Sequence, residues 1–469
     1  QYLSSDLTWN NVGEFFAGEG VGDPITMISQ YLKTNPEGVQ ASLRNVLPAE
    51  VQLELDIESG AWIDVLIDSL LKVRLEIQQE IDYFDLERVK AFESHKDNLV
   101  KQFGRIVNTI KSRNLLGFLG SRNILPKYGF PVDVVDLRTS GSRIAVGAEL
   151  DLSRDLSTAI FEYAPEAEIV AGGYLWKSAG VYRLPERDLV QGQFSQCQSC
   201  NFFEESVEDL STTCPQCGKE RRPQKYMIPE FGFIAENSPE RPGMKPPTRS
   251  WNGGTYFVSP GQVIDDIDID ANFSERLTMQ VSKGATLMAV STSKTGQGFM
   301  LCDWCGRGFP TSAKIPKTHA HTWKSQECKG PLTRASLAHK YETDVLTIEL
   351  NHDQVSNAQQ AWSGLYALLD STAQVLGISR DDIDGTLSFN NETPRLILFD
   401  TVPGGAGCVL QIPSRIREIV DTAQTNVNNC ECGEETSCYS CLRNYRNSIR
   451  HDQLSRLDAI NLLDKFVSS

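Results

Sequence analysis

The chain has 469 residues, 40% of them hydrophobic and 23% charged, which excludes collagen, coiled-coil fibre and bulk disorder. The formal net charge of −16 argues against a nucleic-acid-binding surface over the whole molecule, because phosphate contacts need lysine and arginine. It leaves room for a local basic groove.

The length suggests roughly two to four domains. No stretch approaches the roughly 18 consecutive apolar residues of a membrane helix. Gln1 to Asp6 carry no basic start followed by an apolar core, so no secretory signal is read. The chain does not begin with Met, which suggests that it starts inside a longer polypeptide.

Trp9 to Phe16, Ile25 to Leu32 and Val39 to Val46 place apolar residues at three-to-four spacing, and predict short helices in a first segment, 1–60. From Ala61 to about Ser112 the pattern is helical and nearly unbroken, with no Pro or Gly before Gly104. It predicts one long helix or a helical hairpin over 61–114 that packs one domain and spaces it from the next. Beyond Pro126 the period changes to two. Strands are predicted over Val132–Leu137, Ile144–Leu150, Ile160–Tyr163, Ile169–Tyr174, Gly180–Tyr182, Tyr226–Ile234, Thr255–Val258, Leu277–Val281, Ala285–Thr292, Asp344–Leu350 and Arg395–Phe399. Helices are predicted over Ala361–Leu376, Arg415–Ala423 and Leu454–Phe466. The expected class is α+β: a mostly antiparallel sheet with helices and small metal-bound inserts.

Eleven of the twelve cysteines fall into three sets. Cys197, Cys200, Cys214 and Cys217 form two Cys-x-x-Cys knuckles, the pattern of a zinc ribbon, as an insert over 195–222. Cys302 and Cys305 make another knuckle over 300–330, with Cys328 as third ligand and a histidine as fourth. Both His319 and His321 are candidates, and His321 is preferred for its spacing to Cys328. Cys430, Cys432, Cys438 and Cys441 are compact enough to wrap one ion. Only Cys408 stands alone. Such tight spacing in a long chain without a signal suits metal in a reducing cytoplasm better than disulfides. Sets of four protein ligands leave no open position for water, so two or three structural zinc ions are expected and no zinc catalysis.

Catalytic motifs are scarce. There is no Walker A loop, no Asp-Glu-Ala-His box and no Gly-x-Ser-x-Gly elbow, so the chain alone is no P-loop ATPase. Pro403 to Gly407 reads as a tight strand-to-helix turn. His339, Asp344, Glu349 and Asp400 could hold magnesium for a nuclease only if folding brought them together. Arg443, Arg446 and Arg450 fall at i, i+3 and i+7, which predicts one helical face, with Tyr439 and Tyr445 interleaved. Such a stripe could follow a nucleic-acid backbone while a ring such as Tyr445 stacks on bases. Lys219, Arg221, Arg222 and Lys225 make a second candidate basic patch.

Several pieces occur in a characteristic order. Leu119-Gly-Ser-Arg122 leads to Leu125-Pro-Lys-Tyr-Gly-Phe-Pro131; then come Cys302-Asp-Trp-Cys305-Gly and His339-Lys-Tyr-Glu-Thr-Asp344. Asp400-Thr-Val-Pro-Gly-Gly-Ala-Gly407 and Cys438-Tyr-Ser-Cys441-Leu-Arg-Asn-Tyr-Arg-Asn447 follow. Together they resemble the MrfA-type zinc-binding domain at the C-terminus of many bacterial DEAD/DEAH-box helicases, found also in the DrmB subunits of DISARM phage defence. The resemblance runs over about 115–469. It implies that Cys430, Cys432, Cys438 and Cys441 form a structural zinc clamp beside a helicase motor. It also implies work on DNA, expected to be single-stranded, in repair or phage defence. The motor would lie upstream in the same chain or on a partner helicase subunit, and a nuclease or other effector could dock. A stand-alone DrmB-like scaffold subunit is the alternative.

Overall fold

The computed structural model describes residues 9–19, 22–34, 37–46, 59–95, 97–113, 115–121, 134–139, 144–148, 150–183, 189–268, 278–311, 316–322, 324, 326–350, 355, 357–390 and 393–467. The sequence motif at 125–131 lies outside them. The fold is α+β.

Three short helices, Val12–Phe16, Pro24–Lys33 and Glu37–Val46, precede a helix of 33 residues, Ala61–Glu93. A second helix, Asp97–Lys111, packs back on this long helix. The expected unbroken run is therefore a hairpin. Its break needs no Gly or Pro: His95 adopts a left-handed conformation (φ 51°) just after Ser94 caps the long helix. Gly104, the first glycine in the run, lies inside the second helix. Leu70, Val73, Ile77, Ile81 and Phe84 form the buried stripe, and Phe84 meets Phe103 across the hairpin at 6.3 Å between ring centroids. Tyr182 and Ile234 from the sheet region close the same core.

Among the described residues the strands form a five-stranded sheet, an eleven-stranded sheet and a two-stranded ribbon. The large sheet is built on two long strands, Thr278–Ser293 and Leu332–Glu349, paired antiparallel from Thr278↔Glu349 to Ser291↔Leu337. The runs expected as separate strands at 277–281 and 285–292 are thus one strand. A bulge between Ser282 and Ala285 accommodates Gly284 (φ 62°) and bends it. On one side of that bend Met279, Val281, Leu346 and Ile348 join a core roofed by three helices, Ala358–Leu376, Ile412–Asn428 and Arg456–Val467. On the other side Ala285, Leu287, Leu337 and Tyr341 belong to a second core.

Two predicted strands are helical. Residues 156–162 form an α-helix because Asp155 caps it, its carboxylate accepting from Ser157 N–H at 2.8 Å, and Leu156, Ala159 and Ile160 bury one face. Ala145–Ala148 is one turn of 3-10 helix. The run from Tyr226 to Ile234 is two strands, Gln224–Met227 and Phe233–Ala235, separated at Pro229. No described helix is long and apolar enough to cross a membrane.

Candidate metal centres

Three sets of four ligand atoms converge among the described residues, each within 4.8 Å of one another. A tetrahedral zinc with Zn–S bonds of about 2.3 Å separates its sulfurs by about 3.8 Å. Cys197–Cys217 and Cys200–Cys214 lie at 3.6 and 3.7 Å. Cys302–Cys328 lies at 3.7 Å, and the third set spans 3.5 to 3.8 Å. No described cysteine is in a disulfide. Donor set and spacing both fit a closed structural zinc site.

The first two sets share one local construction. After Cys200, Cys217 and Cys305 stand Asn201 (φ 57°), Gly218 (φ 72°) and Gly306 (φ 73°), all left-handed. Each donates its N–H to the carbonyl of the first cysteine of its knuckle, at 2.8, 2.9 and 3.0 Å. The first cysteine in turn donates its own N–H to the next residue along: Phe202, Lys219 or Arg307. This turn aims two thiols at one point, and only a residue tolerant of positive φ can complete it.

The fourth member of the second set is His319, not the His321 that spacing favoured. His319 pairs directly with Cys328 in the ribbon His319–Ala320/Glu327–Cys328, and its Nε2 lies 3.3 Å from Cys305 Sγ. His321 lies just after that strand, donates its N–H to Gln326 O at 3.0 Å, and has Lys324 and Glu87 as charged neighbours. Burial lowers its pKa to about 4.

Hydrogen bonds hold one thiol low in each set. The Cys305 thiol hydrogen-bonds Cys302 and brings it to about 5. Burial opposes ionisation of Cys197, but the backbone N–H groups of Cys200 and Ser199 outweigh it, to about 6. Burial likewise opposes Cys438, and the Ser440 N–H together with hydrogen bonds from the Cys430, Cys441 and Cys432 thiols outweighs it, to about 7. A thiolate is the form a metal takes.

The third set has no knuckle of that kind. The carbonyl of Cys438 accepts from Leu442 and Arg443 N–H, a helix-like turn that carries the chain inward to buried Leu442. The loop between the two cysteine pairs docks on the start of the helix Arg456–Val467: Thr436 O accepts from Arg456 N–H and Glu434 O from Leu457 N–H, both at 2.8 Å.

The basic residues are arranged differently from the expectation. Arg443, Arg446 and Arg450 do not share a helical face, because 441–447 is turn and loop and the 3-10 helix starts at Ser448. Arg443 turns inward to Ser437 Oγ (2.9 Å) and the His451 carbonyl. Arg450 lies 3.6 Å over the Trp362 ring. Arg446 is exposed and paired with Asp381 at 3.2 Å, and Tyr445 is 70% exposed. In the second patch Arg221 is buried against Glu204, while Lys219, Arg222 and Lys225 are exposed.

The acidic candidates do not form one cluster. His339 stacks on Tyr341, and Glu349 pairs with Arg395 at the far end of the same strand. Ten residues of strand put them about 33 Å apart. Only Asp344 and Asp400 meet. Asp400 accepts from the N–H groups of Ala406 (2.6 Å), Cys408 (3.1 Å) and Val409 (2.9 Å), and so ties down the glycine turn that opens the helical layer. Gly405 (φ 78°) lies so close to Asp344 that a Cβ there would stand 2.3 Å from its carboxyl.

Residues 365–442 match the sequence profile described as the MrfA Zn-binding domain. This span is similar to that zinc-binding family. Within it are most of the helix Ala358–Leu376, the hairpin Ile383–Asn390/Thr393–Asp400, the helix Ile412–Asn428 and all four cysteines of the third set. The first two sets lie outside it. The chain is also 24% identical over 404 residues to Druantia protein DruE of Escherichia coli (strain UMEA 4076-1), a match covering 74% of this chain and 22% of that protein. The chain thus spans about a fifth of the length of that relative. Among solved structures, it is similar to the DUF1998 helicase MrfA bound to DNA (12% identity, 71% of this chain and 33% of that one, TM-score 0.33). A second crystal structure of the DUF1998 helicase MrfA is similar at 11% identity, over 66% of this chain and 32% of that one, with TM-score 0.30.

Proposed function

We propose that this chain is the zinc-binding C-terminal region of a superfamily 2 DNA helicase of a phage-defence system. It is non-catalytic itself, guides a DNA strand leaving the motor, and docks partner proteins such as a nuclease. The observation that carries this reading is the match of 365–442 to the MrfA Zn-binding domain, within a longer similarity to DruE. MrfA is a helicase with a DNA-bound crystal form, which supports a nucleic-acid role for the domain it names. The non-catalytic part is supported by the engagement of Asp400 in backbone bonds and by closed four-ligand metal sites. Three cysteine-rich sets in metal geometry favour a cytoplasmic setting.

The test is fluorescence anisotropy of the purified chain with labelled single-stranded and duplex DNA at low and moderate salt. Single-strand binding that weakens with salt is expected. Absence of binding at low salt sinks the DNA-guiding role and leaves a protein scaffold.

A further inference from the structure

Four aromatic side chains are strongly exposed among the described residues, and two of them, Tyr439 and Tyr445, share the segment after the third metal set. Tyr445 is not isolated. The guanidinium of Arg249 stands 4.7 Å from its ring centroid and donates to Ser448 Oγ at 2.6 Å. Arg249 comes from a loop 199 residues away in sequence.

That loop is fully exposed from Arg241 to Arg249, and carries Arg241, Lys245 and Arg249 with no acidic residue. Both ends are fastened. Glu240 and Leu175 exchange backbone hydrogen bonds at 2.7 and 3.1 Å. Thr248 donates its N–H to the Glu168 carboxylate at 2.8 Å and accepts from Glu168 N–H at 3.0 Å. Arg446 lies next to Tyr445 in sequence, and its partner Asp381 is largely exposed, so the pair is weak enough to exchange for a phosphate. The surface of an acidic protein here offers an exposed ring with one guanidinium against it, a second arginine next in the chain and a pinned basic loop.

We propose that Tyr445, Arg249 and Arg446, with the 241–249 loop, form a platform for single-stranded nucleic acid. A base stacks on the exposed ring of Tyr445, and the flanking phosphates meet the free donors of Arg249 and Arg446. This rests on the proposed DNA-guiding role and assigns it a site. The ligand class follows from geometry: a duplex hides its base faces, whereas a single strand presents them.

The experiment is anisotropy titration of a labelled oligothymidylate with the chain and with Tyr445→Ala, Tyr445→Phe, Arg249→Glu and Arg415→Glu. Arg415 is exposed elsewhere, on the helix Ile412–Asn428, and serves as a charge control. Equal zinc content and melting temperature establish that each variant is folded. Tyr445→Ala is expected to weaken binding about tenfold with an unchanged salt slope, and Tyr445→Phe to retain it. Arg249→Glu is expected to weaken binding and to lower the salt slope by about one. Arg415→Glu is expected to leave both unchanged. If the chain binds the oligonucleotide and Tyr445→Ala and Arg249→Glu bind equally well, the platform is overturned while the DNA role stands. Duplex bound as tightly as the single strand, through the same residues, also overturns it. No binding by the unaltered chain overturns both.

Discussion

Lys324, on the loop of the second metal set, is ion-paired with Glu87 of the long helix at 3.1 Å. The knuckle of the same set reaches the small sheet, where Val181 N–H donates to Gly306 O at 2.9 Å. The second metal set therefore stands where hairpin, small sheet and large sheet meet.

That contact has a pH signature. Burial raises the pKa of Glu87, but hydrogen bonds from Lys90 and Lys324 outweigh it and hold the carboxyl below its usual range. A depressed folded value means stability present at neutral pH, and lost as pH falls through the unfolded value near 4 toward the folded one. Lys324→Ala should therefore cost up to about 1 kcal/mol at pH 7. The cost should shrink below about pH 4, read from urea unfolding at the two pH values.

His319→Ala should lose one zinc per chain relative to the unaltered protein, measured by elemental analysis, while His321→Ala keeps the full complement. Equal loss in both variants would contradict the His319–Cys328 pairing as the basis of the site.

Cys432→Ser should release the ion of the third set and loosen the helix Arg456–Val467, whose first turn hangs on Glu434 and Thr436. Hydrogen exchange is the appropriate readout. Amides of 456–467 should lose protection, while those of the long helix keep theirs.

Asp344 runs the opposite way to Glu87. Burial and the neighbouring Asp400 charge raise its pKa, so its ionised form is unfavourable in the folded state. A raised folded value favours folding at low pH, and that advantage is lost as pH rises through the folded value. Asp344→Asn is expected to melt at a higher temperature than the unaltered chain at pH 7. The gap should close as the pH falls to about 4.

Gly364→Ala tests the crossing of the helices Ala358–Leu376 and Arg456–Val467. Alanine gains about 1 kcal/mol of helix propensity over glycine. A Cβ at Gly364, however, would stand 2.3 Å from Leu462 Cδ2, and Leu462 is fully buried. Overpacking costs about 1–3 kcal/mol, so net destabilisation is expected in a thermal melt.

Much of this was legible locally. Amphipathic runs such as Ala361–Leu376 found their helices because one face had to be buried, and knuckles were legible because spacing alone forces two thiols together. The short apolar run at 160–163 was misread because the deciding signal was the cap at Asp155, not the period of the run. Spacing to Cys328 favoured His321, because spacing carries no record of which residues pair across a ribbon. Only the pairing of His319 with Cys328 separates them.

The sequence by itself determined the class, the three cysteine sets and the absence of a Walker A loop, because these rest on residues close in the chain. The tertiary structure decided which charges remain available. Arg443 and Arg450 are drawn inward, to Ser437 and Trp362, while Arg249 arrives beside Tyr445 and bonds Ser448, 199 residues further along the chain. No periodicity encodes such a meeting. It depends on a loop fastened to the small sheet and a segment packed on the helical layer, whose separation in space is set by long-range contacts.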